Sequence, residues 1–176
     1  MRRFGMVLAV TLLALGTLAG AATASPPAEK NFIAILSGDA EVPVRDTQAR
    51  GVAIFRLSDD GMSLSYRLVV ANIDNVTASH IHLGGPSANG PVVAFLAGPF
   101  PVGGGRTSGV LARGTITEAD LVGPLAGGSF TDLIAAMSTG NAYVNVHTND
   151  GVAPANTGPG DFPGGEVRGQ IRANGP

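Results

Sequence analysis

Gly51-Val52-Ala53-Ile54-Phe55-Arg56-Leu57, a turn through Ser58-Asp59-Asp60-Gly61-Met62, then Ser63-Leu64-Ser65-Tyr66-Arg67-Leu68-Val69-Val70: this stretch decides the fold. Two alternating runs rich in β-branched and aromatic residues flank an Asp-Gly pair. Asp-Gly between such runs is a strong hairpin signal, because its backbone tolerates the turn that matches strand twist. The pattern recurs outward in both directions. Short apolar runs, each closed by Gly, Pro, Asn or Asp, predict further strands at 31–36, 79–83, 92–96, 109–116, 142–148 and 166–172.

One segment reads as a helix. Phe130, Leu133, Ile134 and Met137 fall at helical spacing within 129–138, with Ser129 and Asp132 at its start and Gly140 beyond its end. Residues 117–121 read as a capped turn. With no βαβ rhythm, the expectation is an all-β fold, a Greek-key β-sandwich of about eight strands with one short helix. Arg-Gly recurs at Arg50-Gly51, Arg113-Gly114 and Arg168-Gly169. Gly inside a strand marks a bulge or a close backbone approach.

Composition narrows the function. Among 176 residues there are 26 Gly and 12 Pro, no Cys and no Trp. Without Cys, disulfide scaffolds, Cys-ligated zinc, iron–sulfur clusters and Cys nucleophiles are excluded. A formal charge of −2 argues against a nucleic-acid partner.

The start of the chain carries an address. Arg2 and Arg3 precede an apolar run over 6–18, and Ala22-Thr23-Ala24 forms an A-x-A site before Ser25-Pro26-Pro27. That order predicts a signal peptide over 1–24, cleaved near Ala24, and a secreted or periplasmic product. The run is short of the ~20 residues a membrane span needs, so no span is expected in the mature chain. A Pro-rich lead-in, 25–30, precedes the predicted domain at 31–172.

Chemistry concentrates in three strands. All three histidines of the chain lie in two of them: His80-Ile81-His82, and His147 at the end of Tyr143-Val144-Asn145-Val146-His147. Alternation puts His80 and His82 on one strand face and Ile81 on the other. It likewise puts Tyr143, Asn145 and His147 opposite Val144 and Val146. Glu166, Arg168 and Gln170 repeat the pattern, with Glu166 and Arg168 read first as a same-face ion pair. If these strands are neighbours, their polar faces merge into one outward patch. Three imidazoles from two strands suit one copper, or less well zinc, with Asn145 able to support a ligating ring. No nucleophile elbow surrounds Ser87, no phosphate loop surrounds Gly103–Gly105, and no paired acids stand out, so the reading leans away from an enzyme.

Several stretches resemble the chordin-type CHRD domain. They are Phe32-Ile33-Ala34-Ile35-Leu36-Ser37-Gly38-Asp39-Ala40-Glu41-Val42-Pro43, Ala78-Ser79-His80-Ile81-His82-Leu83-Gly84-Gly85-Pro86 with Asn89-Gly90-Pro91-Val92-Val93, Ala142–Thr148, and Pro163–Ile171. The resemblance runs over roughly 31–172. It implies an extracellular β-sheet module, most simply a non-enzymatic binding module for an extracellular ligand or protein. A purely structural surface-layer or matrix component is a third reading. A metal protein using His80, His82 and His147 is the alternative from a different class. Relative to the family pattern, 149–162 reads as an insertion able to cover a site at His147. A looser likeness to copper–zinc superoxide dismutase rests on the H-x-H strand and the late His. With three His and no Cys, the rest of that bimetal site has no counterpart.

Overall fold

The computed structural model describes residues 30–174; the expected signal peptide and most of the lead-in lie outside the described residues. Nine strands form: β1 (Asn31–Ser37), β2 (Arg50–Leu57), β3 (Ser63–Asp74), β4 (Val76–Leu83), β5 (Val92–Ala97), β6 (Arg106–Thr117), β7 (Ala142–Thr148), β8 (Val167–Gln170) and β9 (Arg172–Ala173). One helix, α1 (Phe130–Ser138), precedes β7.

The Asp-Gly hairpin forms as its sequence dictates. β2 and β3 pair antiparallel from Arg50↔Ala71 to Leu57↔Leu64. The expected Greek-key sandwich of two sheets does not form. All strands join one antiparallel sheet, in the order β5-β4-β7-β8-β1-β2-β3-β6, with β9 also on β1. The sheet curls until its end strands, β5 and β6, come within 8 Å. Tyr66 on β3 bridges the gap, donating its hydroxyl to the Leu96 carbonyl at 2.7 Å. The result is a nearly closed barrel. Alternation fixes which face of each strand is apolar. It does not say whether the strands divide into two sheets or share one.

The last predicted strand splits in two, yet Ser37↔Arg168 and Ile33↔Arg172 keep a single register against β1. β3 and β6 run past their apolar cores into polar sequence. Bulges between Leu68/Val69 and Val70/Ile73 absorb the mismatch, and pairing continues to Asp74↔Arg106.

The core fills the concave side. Phe32, Ala34 and Leu36 from β1 meet Phe55, Leu64, Leu68, Ile81, Val144, Val146 and Val167. Val144 and Val146 therefore take the core face that alternation gave them. Helix α1 closes one end with Phe130, Leu133 and Met137, all buried. Each such side chain contributes roughly 1.5–3 kcal/mol of burial. Ser129 caps the helix by accepting from the Thr131 N–H at 3.2 Å, without help from Asp132. Gly140, at φ 71°, ends it. Its N–H reaches the Met137 carbonyl, and that of Asn141 reaches Ala136, which satisfies two of the last free carbonyls. The 117–121 turn is capped as expected: Thr117 donates its backbone N–H and hydroxyl to Asp120 Oδ2 at 2.9 and 2.8 Å.

The Arg-Gly positions are close approaches. A Cβ on Gly114 would meet the Tyr66 ring at 2.8 Å, and one on Gly169 would run into the Ile35 carbonyl of β1. Glycine at 169 lets β8 lie tight against β1, which places Arg168 beside Ser37.

Candidate metal centre

β4, β7 and β8 are neighbours, so the three polar faces do merge. The pairs His82↔Tyr143↔Gln170 and His80↔Asn145↔Arg168 lie side by side, and His147 sits opposite Ala78. The merged face is not the outward patch expected from alternation. Tyr143, Asn145, Glu166 and Arg168 are each at most 3% exposed. Loops 84–91 and 149–165 fold over it, a covering that strand periodicity does not reveal.

Arg168 holds the first loop. It donates to Asn89 Oδ1 at 3.1 Å and to the Gly85 and Ala88 carbonyls at 2.8 and 3.0 Å. Its guanidinium lies 3.5 Å from the centroid of the Tyr143 ring. The other face of that ring stacks on His82, centroids 4.8 Å apart and 11° from parallel. Gln170 adds bonds to the Gly84 and Gly140 carbonyls, both at 2.6 Å.

Glu166 holds the second loop. Its carboxylate accepts from Thr47 Oγ1 at 2.6 Å, Thr148 Oγ1 at 2.7 Å and the Gly160 N–H at 2.9 Å. The expected Glu166–Arg168 ion pair is absent. Among the described residues the one salt bridge joins Lys30 to Asp59. Hydroxyls, the Asn89 amide oxygen and backbone groups satisfy both buried charges instead, which alternation could not specify.

Three histidines meet at the centre of this face. Their ligating nitrogens all lie within 4.8 Å of one another. His82 Nδ1 stands 2.9 Å from the Gly90 carbonyl, and His147 Nδ1 stands 2.9 Å from the Pro163 carbonyl. A carbonyl only accepts, so each Nδ1 carries the hydrogen and each Nε2 keeps its lone pair. His82 Nε2 is buried and receives no hydrogen bond of good geometry, with the Asn145 side chain beside the ring. His80 Nδ1 lies 3.1 Å from His147 Nε2. Two nitrogens on one tetrahedral ion stand about 3.4 Å apart, so this spacing needs only a small adjustment to take a metal. Phe95, on β5, packs edge-on against His80 at 5.0 Å and is the exposed rim of the site.

Burial keeps the rings neutral. It is the first cause of a His80 pKa pushed down to about 4, with His147 and His82 adding to it. His82 and His147 are lowered as well, chiefly by burial, although their carbonyl partners, and for His82 also the Asn145 side chain, act the other way. Neutral imidazole is the form that ligates. The sign for stability follows. A folded pKa below the unfolded value gives stability that is complete above about 6.5 and is lost as pH falls through the folded value. The metal-free protein is therefore expected to lose melting temperature from pH 6.5 downward. Replacing the three histidines with Gln should flatten that slope; equal slopes in both proteins would contradict it.

Some members of the site had little sequence signal. Gly90 and Pro163 act through carbonyls, which no side chain advertises. Phe95 could have been found, since it is cross-strand from His80. Glu41 stands out only as an acid within Gly38–Pro43, yet it is buried beside Asn145 and Gly165. No helix among the described residues is long and apolar enough to cross a membrane.

The chain matches no curated protein sequence at significant similarity. The CHRD domain family, by contrast, matches residues 32–171, from the first core Phe of β1 to the link between β8 and β9. That span takes in every ring, loop anchor and buried carboxylate described above, and the chain belongs to the CHRD domain family.

Proposed function

We propose that this protein is a secreted CHRD domain that binds one metal ion, copper before zinc, through His80, His82 and His147. The leader over 1–24 delivers it outside the cytoplasm and is removed near Ala24. One observation carries the reading: the buried lone pair of His82 Nε2, without a hydrogen bond of good geometry and set among two further imidazoles within 4.8 Å. An orphaned buried acceptor is costly, and a ligated ion removes that cost. Three neutral nitrogens suit copper or zinc and leave a coordination position open. The role is metal capture or handling, with no bond-making chemistry assigned.

The competing reading is a module that binds a partner through this polar face. Its proposed contact residues Tyr143, Asn145, Glu166 and Arg168 are covered by loops, so a partner would have to dock on other parts of the module, and the histidine cluster is the more specific feature. The test uses protein exported from cells expressing the full chain, whose new N-terminus mass spectrometry reads. Copper and zinc are titrated into it and into a triple Ala variant at His80, His82 and His147. One ion per chain should survive dialysis in the first and none in the second, and the bound ion should raise the melting temperature. Equal binding by the variant would end the proposal.

A further inference from the structure

The metal reading leaves the ion's charge state open, and the surroundings of His82 bear on it. We propose that Arg168 and Tyr143 bias the site toward the monovalent cuprous ion, acting through His82. The inference rests on the metal reading above.

Three observations support it. First, Arg168, Tyr143 and His82 form one continuous stack: guanidinium 3.5 Å from the phenol ring, phenol ring 4.8 Å from the imidazole. A fixed positive charge thus lies behind His82, separated from it by one polarisable ring. It cannot swing away, because its nitrogens are tied to Asn89, Gly85 and Ala88. Second, among the described residues no carboxylate hydrogen-bonds a histidine ring. The outer nitrogens of His82 and His147 meet the Gly90 and Pro163 carbonyls. A carboxylate partner would make a ring more basic and offset a dication; a neutral carbonyl does much less. Third, of the nearby carboxylates Glu166 is committed to Thr47, Thr148 and Gly160, and Glu41, the one that Arg168 acts on, is pushed toward its neutral form by burial.

Charge then decides between ions. Three neutral imidazoles leave Cu(I) with one positive charge and Cu(II) or Zn(II) with two. A fixed cation one ring behind His82, 3.5 Å from a phenol that lies 4.8 Å from the imidazole, repels the second charge; at an intermediate effective dielectric this corresponds to about tenfold in relative affinity. Imidazole accepts both oxidation states of copper, so the ligand set itself does not impose the divalent form.

The test measures Cu(I) and Cu(II) affinities of the exported protein by competition with chelators of known affinity. Arg168→Gln removes the charge while keeping an amide donor for the 85–90 loop. Tyr143→Leu removes the intervening ring. In Arg168→Gln the preference for Cu(I) over Cu(II) should fall about tenfold, equivalent to a drop of about 59 mV for a one-electron couple. Tyr143→Leu should move it in the same direction. An unchanged ratio in both variants, with copper still bound, would overturn this inference and leave the metal reading intact. A wild-type protein that holds no copper would fail the metal reading itself. Should neither variant fold, the wild type decides: bound Cu(I) should resist a hundredfold excess of Zn(II), and its displacement would overturn the inference.

Discussion

Replacing Glu166 with Ala is expected to lower stability by about 3–4 kcal/mol, because it strands three buried donors at once. Thr47 Oγ1, Thr148 Oγ1 and the Gly160 N–H all end on this carboxylate, which has no solvent exposure. Thr148 Oγ1 in turn accepts from the Phe162 N–H at 2.9 Å, so the damage spreads along the loop. For a domain of this size the loss corresponds to a fall in melting temperature of about 10 °C. Backbone amides of 157–165 should also exchange faster. Since the same loop supplies the Pro163 carbonyl to His147, metal affinity should weaken with it. A melting temperature within about 2 °C of wild type would show that the loop does not depend on Glu166.

The second buried glutamate should behave in the opposite way. Glu41 is 4% exposed, and its Oε1 has no hydrogen-bond partner. Burial pushes its pKa up to about 7, against the pull of Arg168 and Arg45. A folded pKa above the unfolded one gives stability that is complete below about 4.5 and is lost as pH rises through about 7. Glu41→Gln keeps the shape and never ionises. It should therefore match wild type near pH 4 and exceed it by about 1–3 kcal/mol at pH 8. Urea unfolding at the two pH values measures this. A difference independent of pH would show that ionisation of Glu41 is not the cause. The effect runs against that of the three histidines, so the variant should also steepen the acid slope of the protein.

Much of this was legible in the residues. Asp59-Asp60-Gly61 gave the hairpin, and the alternation of Ala142–Thr148 gave the core face of Val144 and Val146. The H-x-H strand with His147 gave the cluster, because period-two geometry puts those rings on one face. Strand order was not legible, since alternation carries no information about which strands pair. For that reason one curled sheet replaced the expected two. The burial of the polar face was not legible either. It depends on Arg168 reaching the carbonyls of Gly85 and Ala88, contacts spanning about 80 residues of chain. The same is true of Glu166: two adjacent opposite charges on one strand face suggest an ion pair, but each finds better partners in a loop packed above it.

His80, His82 and His147 are proposed to hold one ion together. The most direct measurement is an anomalous-difference map, recorded at the copper edge, from crystals of copper-loaded protein. A single strong peak is expected about 2.0–2.1 Å from one nitrogen of each ring, including His82 Nε2. A map with no peak at this cluster, or with copper bound elsewhere while His82 Nε2 stays unligated, would contradict it.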